Sequence, residues 1–307
     1  MRTKELPKGC MDKITDPYTI RYPAIVAVSD TAGQLVECIE FFECVGGAMW
    51  AHTHYKKSPL VISARIVGNT NRFILKTGNS DLNLEGSRFP AGIAGAGVDA
   101  QTITISYRGL GGGGVGASVC RASAQGVLSA EYDESGGGKL AGSTLTLPRR
   151  QRVLIGVDDT DTPDAGATWT LVHNIAKTVA DANHVYLSHT IVQLFPVAFR
   201  TKNCVAVVAE FASTNPEDLI TAFYRLLTAY TLSDKTGMAS FIGFSPDSLL
   251  PFGWKVKQGQ VHPDEVHAIS LPGLCIHADG RGITGAVAAI PFYTRYEDAL
   301  LLCEETP

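Results

Sequence analysis

From residue 152 the chain reads Arg-Val-Leu-Ile-Gly-Val, an apolar run with no alternation, as in a strand buried on both faces. Beyond it, Leu171, Val172, Ile175, Ala176, Val179 and Ala180 recur with a helical period. Strand, acidic loop and helix are therefore predicted in that order. A second helix is predicted after Asn215, which can cap it; Pro216 suits the first turn, and Glu217 and Asp218 favour the positive end. Its apolar face is Leu219, Ile220, Phe223, Leu226, Leu227 and Tyr230. The stretches YLSHTIVQLFP and NCVAVVAEF between these helices are strand-like, and a short helix, ITGAVAAI, opens after the glycines of DGRG.

Before residue 150 the texture differs. Residues 18–44 and 60–77 are rich in β-branched and aromatic side chains, and ITISYRG, ASVCRA and GVLSAEYDE add short strands between glycine clusters. No long helical period is visible there. The pattern predicts a mixed α+β or α/β chain: a β-rich domain with Gly-rich loops over 1–150, then an α/β layer domain over 151–307. Strand order and parallelism are not fixed by it.

Composition adds little to this until charge is divided by half. Residues 1–150 carry 16 Lys and Arg against 13 Asp and Glu, and the remainder 10 against 17. An acidic C-terminal half suits cation binding and lacks the basic surface of broad phosphate-backbone binding, so nucleic acid is not expected as a partner. The seven cysteines, Cys10, Cys38, Cys44, Cys120, Cys204, Cys275 and Cys303, form no CxxC pair; neither a zinc ribbon nor a disulfide framework is indicated. With no apolar run of membrane-spanning length and no signal peptide, a cytoplasmic protein is expected, without a membrane partner.

The candidate chemistry sits between the first strand and helix. Asp158, Asp159 and Asp161 crowd the place where open α/β sheets put ligands. Their repulsion has two outlets: capping the helix and bonding loop amides, or holding a hard divalent cation. Mg²⁺ takes one or two carboxylates with water and phosphates, which suits metal–nucleotide chemistry. Thr160 and Thr162 offer hydroxyls that can cap or touch a phosphate.

The words IGVDDTD, FPVAFRTKNCVAVV, TNPE and GRGITGAVAAI stand in the order of the kinase-like ATP-binding domain of archaeal tRNA-Ile agmatinylcytidine synthetase, which residues 152–292 resemble. The whole chain, with SPLVISARIVGNT, GLGGGGVGASVCRA and ESGGGK, resembles methanogenesis marker protein 11, a family of methanogenic archaea. The resemblance implies ATP and Mg²⁺ as cofactors, with Asp158, Asp159 and Asp161 as catalytic, metal-holding residues and Arg200, Lys202 and Asn203 on the phosphates. Gly280, Arg281 and Gly282 precede a helix, where free amides and a guanidinium can receive an anion. Departures limit the carry-over. The zinc-ribbon module that holds tRNA in the synthetase has no counterpart, and Trp169 stands at the position of its self-phosphorylated threonine.

GLGGGGVGA (109–117) lacks a Walker lysine and is no P-loop; it and SGGGK (135–139) are read either as mobile hairpin loops or as a lid, which makes Gly112, Gly113 and Lys139 candidate nucleotide contacts. His52 and His54 would share a face if their segment were a strand, and His189 could stand near the acidic loop. The leading expectation is an ATP- and Mg²⁺-dependent adenylyl- or phosphoryl-transfer enzyme, transferase or ligase-like. Family context suggests service to methanogenesis: maturation or activation of methyl-coenzyme M reductase or its cofactor. The acceptor is a small molecule or protein such as that reductase or its maturation machinery. The alternatives are a non-catalytic ATP-binding assembly factor and an RNA-modifying enzyme.

Overall fold

The computed structural model describes residues 17–201 and 203–303. It is a mixed α and β structure. Its contacts separate two compact units, one of residues up to 26 with 35–148 and one of 27–34 with the chain from 149 onward.

In the first unit, a sheet of order β1-β2-β4-β3 is built from β1 (Ile25–Ser29), β2 (Leu35–Phe41), β3 (Val61–Val67) and β4 (Thr70–Lys76). The last residues of β1 pass into the second unit. A helix, α1 (Val45–Tyr55), connects β2 to β3 where no helical period was read. Ala48, Ala51 and Tyr55 are its buried stripe, diluted in the sequence by Gly46, Gly47 and the exposed Trp50. His52 and His54 are thus two helical positions apart, about 200° around the axis, and the shared strand face does not exist.

A second sheet, of order β5-β6-β7-β9-β8, contains β5 (Gly78–Asn79), β6 (Ala91–Val98), β7 (Thr102–Leu110), β8 (Ser129–Tyr132) and β9 (Leu140–Pro148). Between β7 and β8 the glycine run is no hairpin loop. Gly112–Ala117 forms α2 and Val119–Ala122 forms α3, so ASVCRA is helical and not a strand. Gly109 and Gly114 explain the run: each lies so close to backbone of the other segment that a Cβ would overlap it.

The second unit is one antiparallel sheet of order β11-β12-β10-β13-β14 between two helix layers. Its strands are β10 (Gln151–Asp158), β11 (His184–Gln193), β12 (Val205–Ser213), β13 (Gly237–Ile242) and β14 (Leu274–Asp279). The run at 152–157 is central and doubly buried. Val153, Ile155 and Val157 face α4 (Thr168–Val179) and α5 (Pro216–Tyr230). Leu154 faces the other layer, which contains α6 (Leu250–Gln258), α7 (Asp264–His267), α8 (Ile283–Ala289) and α9 (Tyr296–Leu300). As the sequence predicts, Asn215 caps α5, its side chain accepting from the Asp218 amide. Inside the sheet, Arg152 Nε donates to Glu210 Oε1 at 3.1 Å, both side chains being buried.

Candidate active site

The acidic loop begins where β10 ends. Asp158 is its last residue, paired across to Gly237 of β13. Its Oδ1 accepts from the Asp159 amide at 2.7 Å, and its Oδ2 lies against Gly285, where a Cβ would overlap it. Only glycine at 285 lets α8 approach this carboxylate; Gly237 and Gly282 likewise admit backbone where a side chain would overlap. Burial raises the Asp158 carboxyl well above its usual range, helped by the negative charges of Asp159 and Asp161.

The next residues turn away from one another. Asp159 sits at φ 55°, a left-handed conformation uncommon for residues other than glycine, and its Oδ2 accepts from Arg281 Nε at 3.1 Å. Thr160 is buried; its hydroxyl donates to Thr168 Oγ1 at 3.0 Å, and Thr168 donates to Asp161 Oδ1 at 3.2 Å. Thr201 reaches Asp161 Oδ2 from the other side at 3.5 Å. The segment after α5 holds the loop backbone: Thr236 donates to the Asp159 carbonyl, and the Leu232 amide to that of Thr160.

The three carboxylates expected to hold a metal each take a different partner in the structure. Among the described residues no three His, Cys, Asp or Glu side chains are grouped to hold a metal ion. The reason is the diversion of Asp159 to Arg281 and the separate anchoring of Asp161. The aspartates do not cap α4 either; that helix starts at Thr168, with no side-chain cap.

Asp158, Asp159 and Asp161 nevertheless open on one cavity of about 730 Å³, lined only by residues of the second unit. Arg200, Asn203, Arg281 and Gly282 share its wall, as do Trp169 and Phe199. Arg281 packs over the Phe199 ring, 4.4 Å from its centroid. Thr284 also lines this wall, and its hydroxyl is buried without a hydrogen-bond partner among the described residues. Lys202 lies outside the described residues.

Other expected contacts lie elsewhere. The amides of Gly280 and Gly282 are not free for an anion: they donate to the carbonyls of Thr236 and Lys235. Gly112, Gly113 and Lys139 belong to the first unit and are absent from the lining of this cavity; Lys139 pairs with Glu134 at 3.2 Å. His189 is within β11, its ring 5.7 Å from that of His173 on α4, and burial lowers its pKa to about 4. Missing from the sequence reading were Thr168, Thr201, Thr236 and Thr284, scattered threonines with no spacing to mark them.

An uncharacterized protein of Methanocaldococcus jannaschii, MJ0921, is 38% identical over 299 residues, 94% of this chain and 99% of that one. The chain belongs to the MJ0921 family. Within it, residues 154–222 match the family model of the TiaS TCKD domain. Solved structures with a similar portion include the complex of TiaS with its isoleucine tRNA and ATP, at 22% identity and a TM-score of 0.40. The complex of TiaS with the same tRNA, AMPCPP and agmatine follows at 21% and 0.39. Each likeness covers 46% of this chain and only 36% of the solved one. These findings correct the exclusion of nucleic acid: the domain matched by the MJ0921-family chain is that of an enzyme solved with tRNA. No helix among the described residues is long and apolar enough to cross a membrane.

Proposed function

We propose that the second unit binds ATP with Mg²⁺ in the cavity beside Asp158, and that the chain is an ATP-dependent enzyme acting on RNA by adenylyl or phosphoryl transfer. The observation that carries the reading is the partly buried, desolvated Asp158 carboxylate, in a loop of the TCKD-matching segment, with two further carboxylates beside it on the wall of a 730 Å³ cavity.

The residues present fit such a ligand. A desolvated carboxylate among like charges gains from either a proton or a cation, and Mg²⁺ needs only one or two carboxylates when phosphates complete its shell. Asp158 and Asp161 would hold the metal, while Asp159 orients Arg281 towards the phosphates. Arg200, Lys202 and Asn203 are proposed as further phosphate contacts, Arg through its fork, Lys as a point charge and Asn through its amide. Bound Mg²⁺–ATP supplies the electrophilic phosphorus, and the protein's part is positioning and offsetting charge. Phe195, Val197 and Val256 line an apolar part of the cavity.

RNA as the acceptor follows the matched domain, whose parent enzyme was solved with tRNA and ATP. Self-phosphorylation is not carried over, because Trp169, 47% exposed on the cavity wall, stands where the threonine would be. A methanogenesis role rests on the resemblance to methanogenesis marker protein 11 alone. The test is incubation of full-length protein with Mg²⁺, α- or γ-labelled ATP and a tRNA fraction. RNA-stimulated release of AMP or ADP, or label on RNA, supports the reading; ATP turnover indifferent to every RNA fraction sinks it.

A further inference from the structure

The first unit contains a cavity of about 840 Å³ that the nucleotide reading does not use. Its volume is that of a site for a ligand of drug size or larger. Tyr22, Phe42, Trp50, Tyr55 and Tyr132 line it, and Trp50 and Tyr132 remain 41% and 58% exposed. Aromatic faces of this kind are unsatisfied by water and attractive to cations.

Once internally paired groups are set aside, the charges on the wall leave a small acidic excess. Arg121 is buried, and its Nε and Nη2 donate to the two Glu40 carboxylate oxygens at 2.7 and 2.8 Å. The same guanidinium packs against the rings of Tyr22, Tyr55 and Tyr107 at 4.5, 4.6 and 4.8 Å. Its charge is therefore matched internally and offers nothing to a ligand. Among the described residues, the other charged side chains lining the cavity are Glu43, Asp133 and Glu134 against Arg21; Glu134 is paired with Lys139 at 3.2 Å, which leaves Glu43 and Asp133 against Arg21. The remaining wall is partly bare backbone. At Gly112, Gly136 and Gly137 a Cβ would meet nothing within 4 Å, so the space in front of them is open.

We propose that this cavity binds a bulky organic cation, one positive centre carried on an apolar body. Phe42, Trp50 and Tyr132 supply cation–π attraction and apolar contact, Glu43 and Asp133 outnumber Arg21 in the field, and an anion of equal shape loses that attraction. The proposal concerns the first unit alone and does not depend on the nucleotide reading.

Tetraphenylphosphonium and tetraphenylborate, nearly equal in size and shape but opposite in charge, test it by calorimetric titration of the full-length protein. The phosphonium is expected to bind at least tenfold more tightly than the borate. Gly112→Phe should weaken phosphonium binding at least tenfold. The backbone at Gly112 lies outside the left-handed region and the new ring would enter open space, so the fold is expected to survive, as circular dichroism would check. Tyr132→Ala, at an exposed wall position, is a second variant expected to weaken binding. Glu43→Gln combined with Asp133→Asn should narrow the phosphonium-to-borate ratio. Equal affinity for the two ions, absence of phosphonium binding, or binding indifferent to both Gly112→Phe and Tyr132→Ala would each overturn the proposal.

Discussion

Arg281 Nε lies 3.1 Å from Asp159 Oδ2, tying the turn before α8 to the acidic loop after β10. Both ends of this pair are partly exposed, at 35% and 23%, so its worth to stability is small. Its worth to a bound triphosphate is larger, because the guanidinium is already held over Phe199 and pointed by Asp159. Arg281→Ala is expected to weaken ATP binding roughly tenfold, about 1.4 kcal/mol, with little change in melting temperature. Arg281→Lys should restore only part of it, since a point charge replaces a fork. Titration calorimetry reads both.

Asp158 sets stability against function. Its folded-state pKa is raised by burial first and by Asp159 and Asp161 next. Below the ordinary carboxylate pKa the group is protonated in both folded and unfolded chains, and no penalty exists. As pH rises from the ordinary carboxylate pKa towards the raised folded-state pKa, the unfolded chain loses its proton first and stability falls, until above the folded-state pKa the charge is carried in a desolvated site and the penalty is complete. Asp158→Asn should therefore stabilise the ligand-free protein at pH 7.5, by ~1–3 kcal/mol. Each ~1 kcal/mol corresponds to about 2–4 °C in a domain of this size. The difference should shrink as pH falls towards about 4, and scanning calorimetry across pH would show a destabilised or pH-independent variant if this were wrong.

Gly285→Ala probes the close approach of α8. The added methyl would overlap the Asp158 carboxylate, so the side chain must rotate or the helix must withdraw. A loss of nucleotide affinity is expected together with destabilisation of ~1–3 kcal/mol. Retained affinity at wild-type stability would show that Asp158 can move freely.

The Arg152–Glu210 pair tests the sheet itself. Glu210→Ala leaves a buried guanidinium without its carboxylate and should cost ~3–5 kcal/mol in denaturant unfolding of the second unit. Removal of both partners should cost less than the sum of the two single changes.

The second unit was legible because its pattern is unambiguous. A five-residue apolar run, 153–157, at the sheet's centre, the periodic face of α4, and the Asn215-Pro216 start of α5 each have a local cause that survives in the fold. Antiparallel order was not legible, since helices on both faces bury an antiparallel strand as fully as a parallel one. In the first unit α1 escaped because glycines and a partly exposed tryptophan dilute a short buried stripe. The glycines of α2 were read as loop because what they permit, contact with the neighbouring strand, depends on a distant segment. At the site the aspartates were visible as a cluster. What each does was not, because Asp159 is claimed by Arg281, 122 residues later, and Asp161 by two threonines that carry no pattern.

The most direct measurement is calorimetric titration of the full-length protein with a non-hydrolysable ATP analogue, with and without Mg²⁺, in the wild type and in Asp158→Asn. The expected result is Mg²⁺-dependent binding that falls at least tenfold in the variant while its thermal stability is maintained or raised. Equal binding by both proteins, or binding indifferent to Mg²⁺, would contradict it.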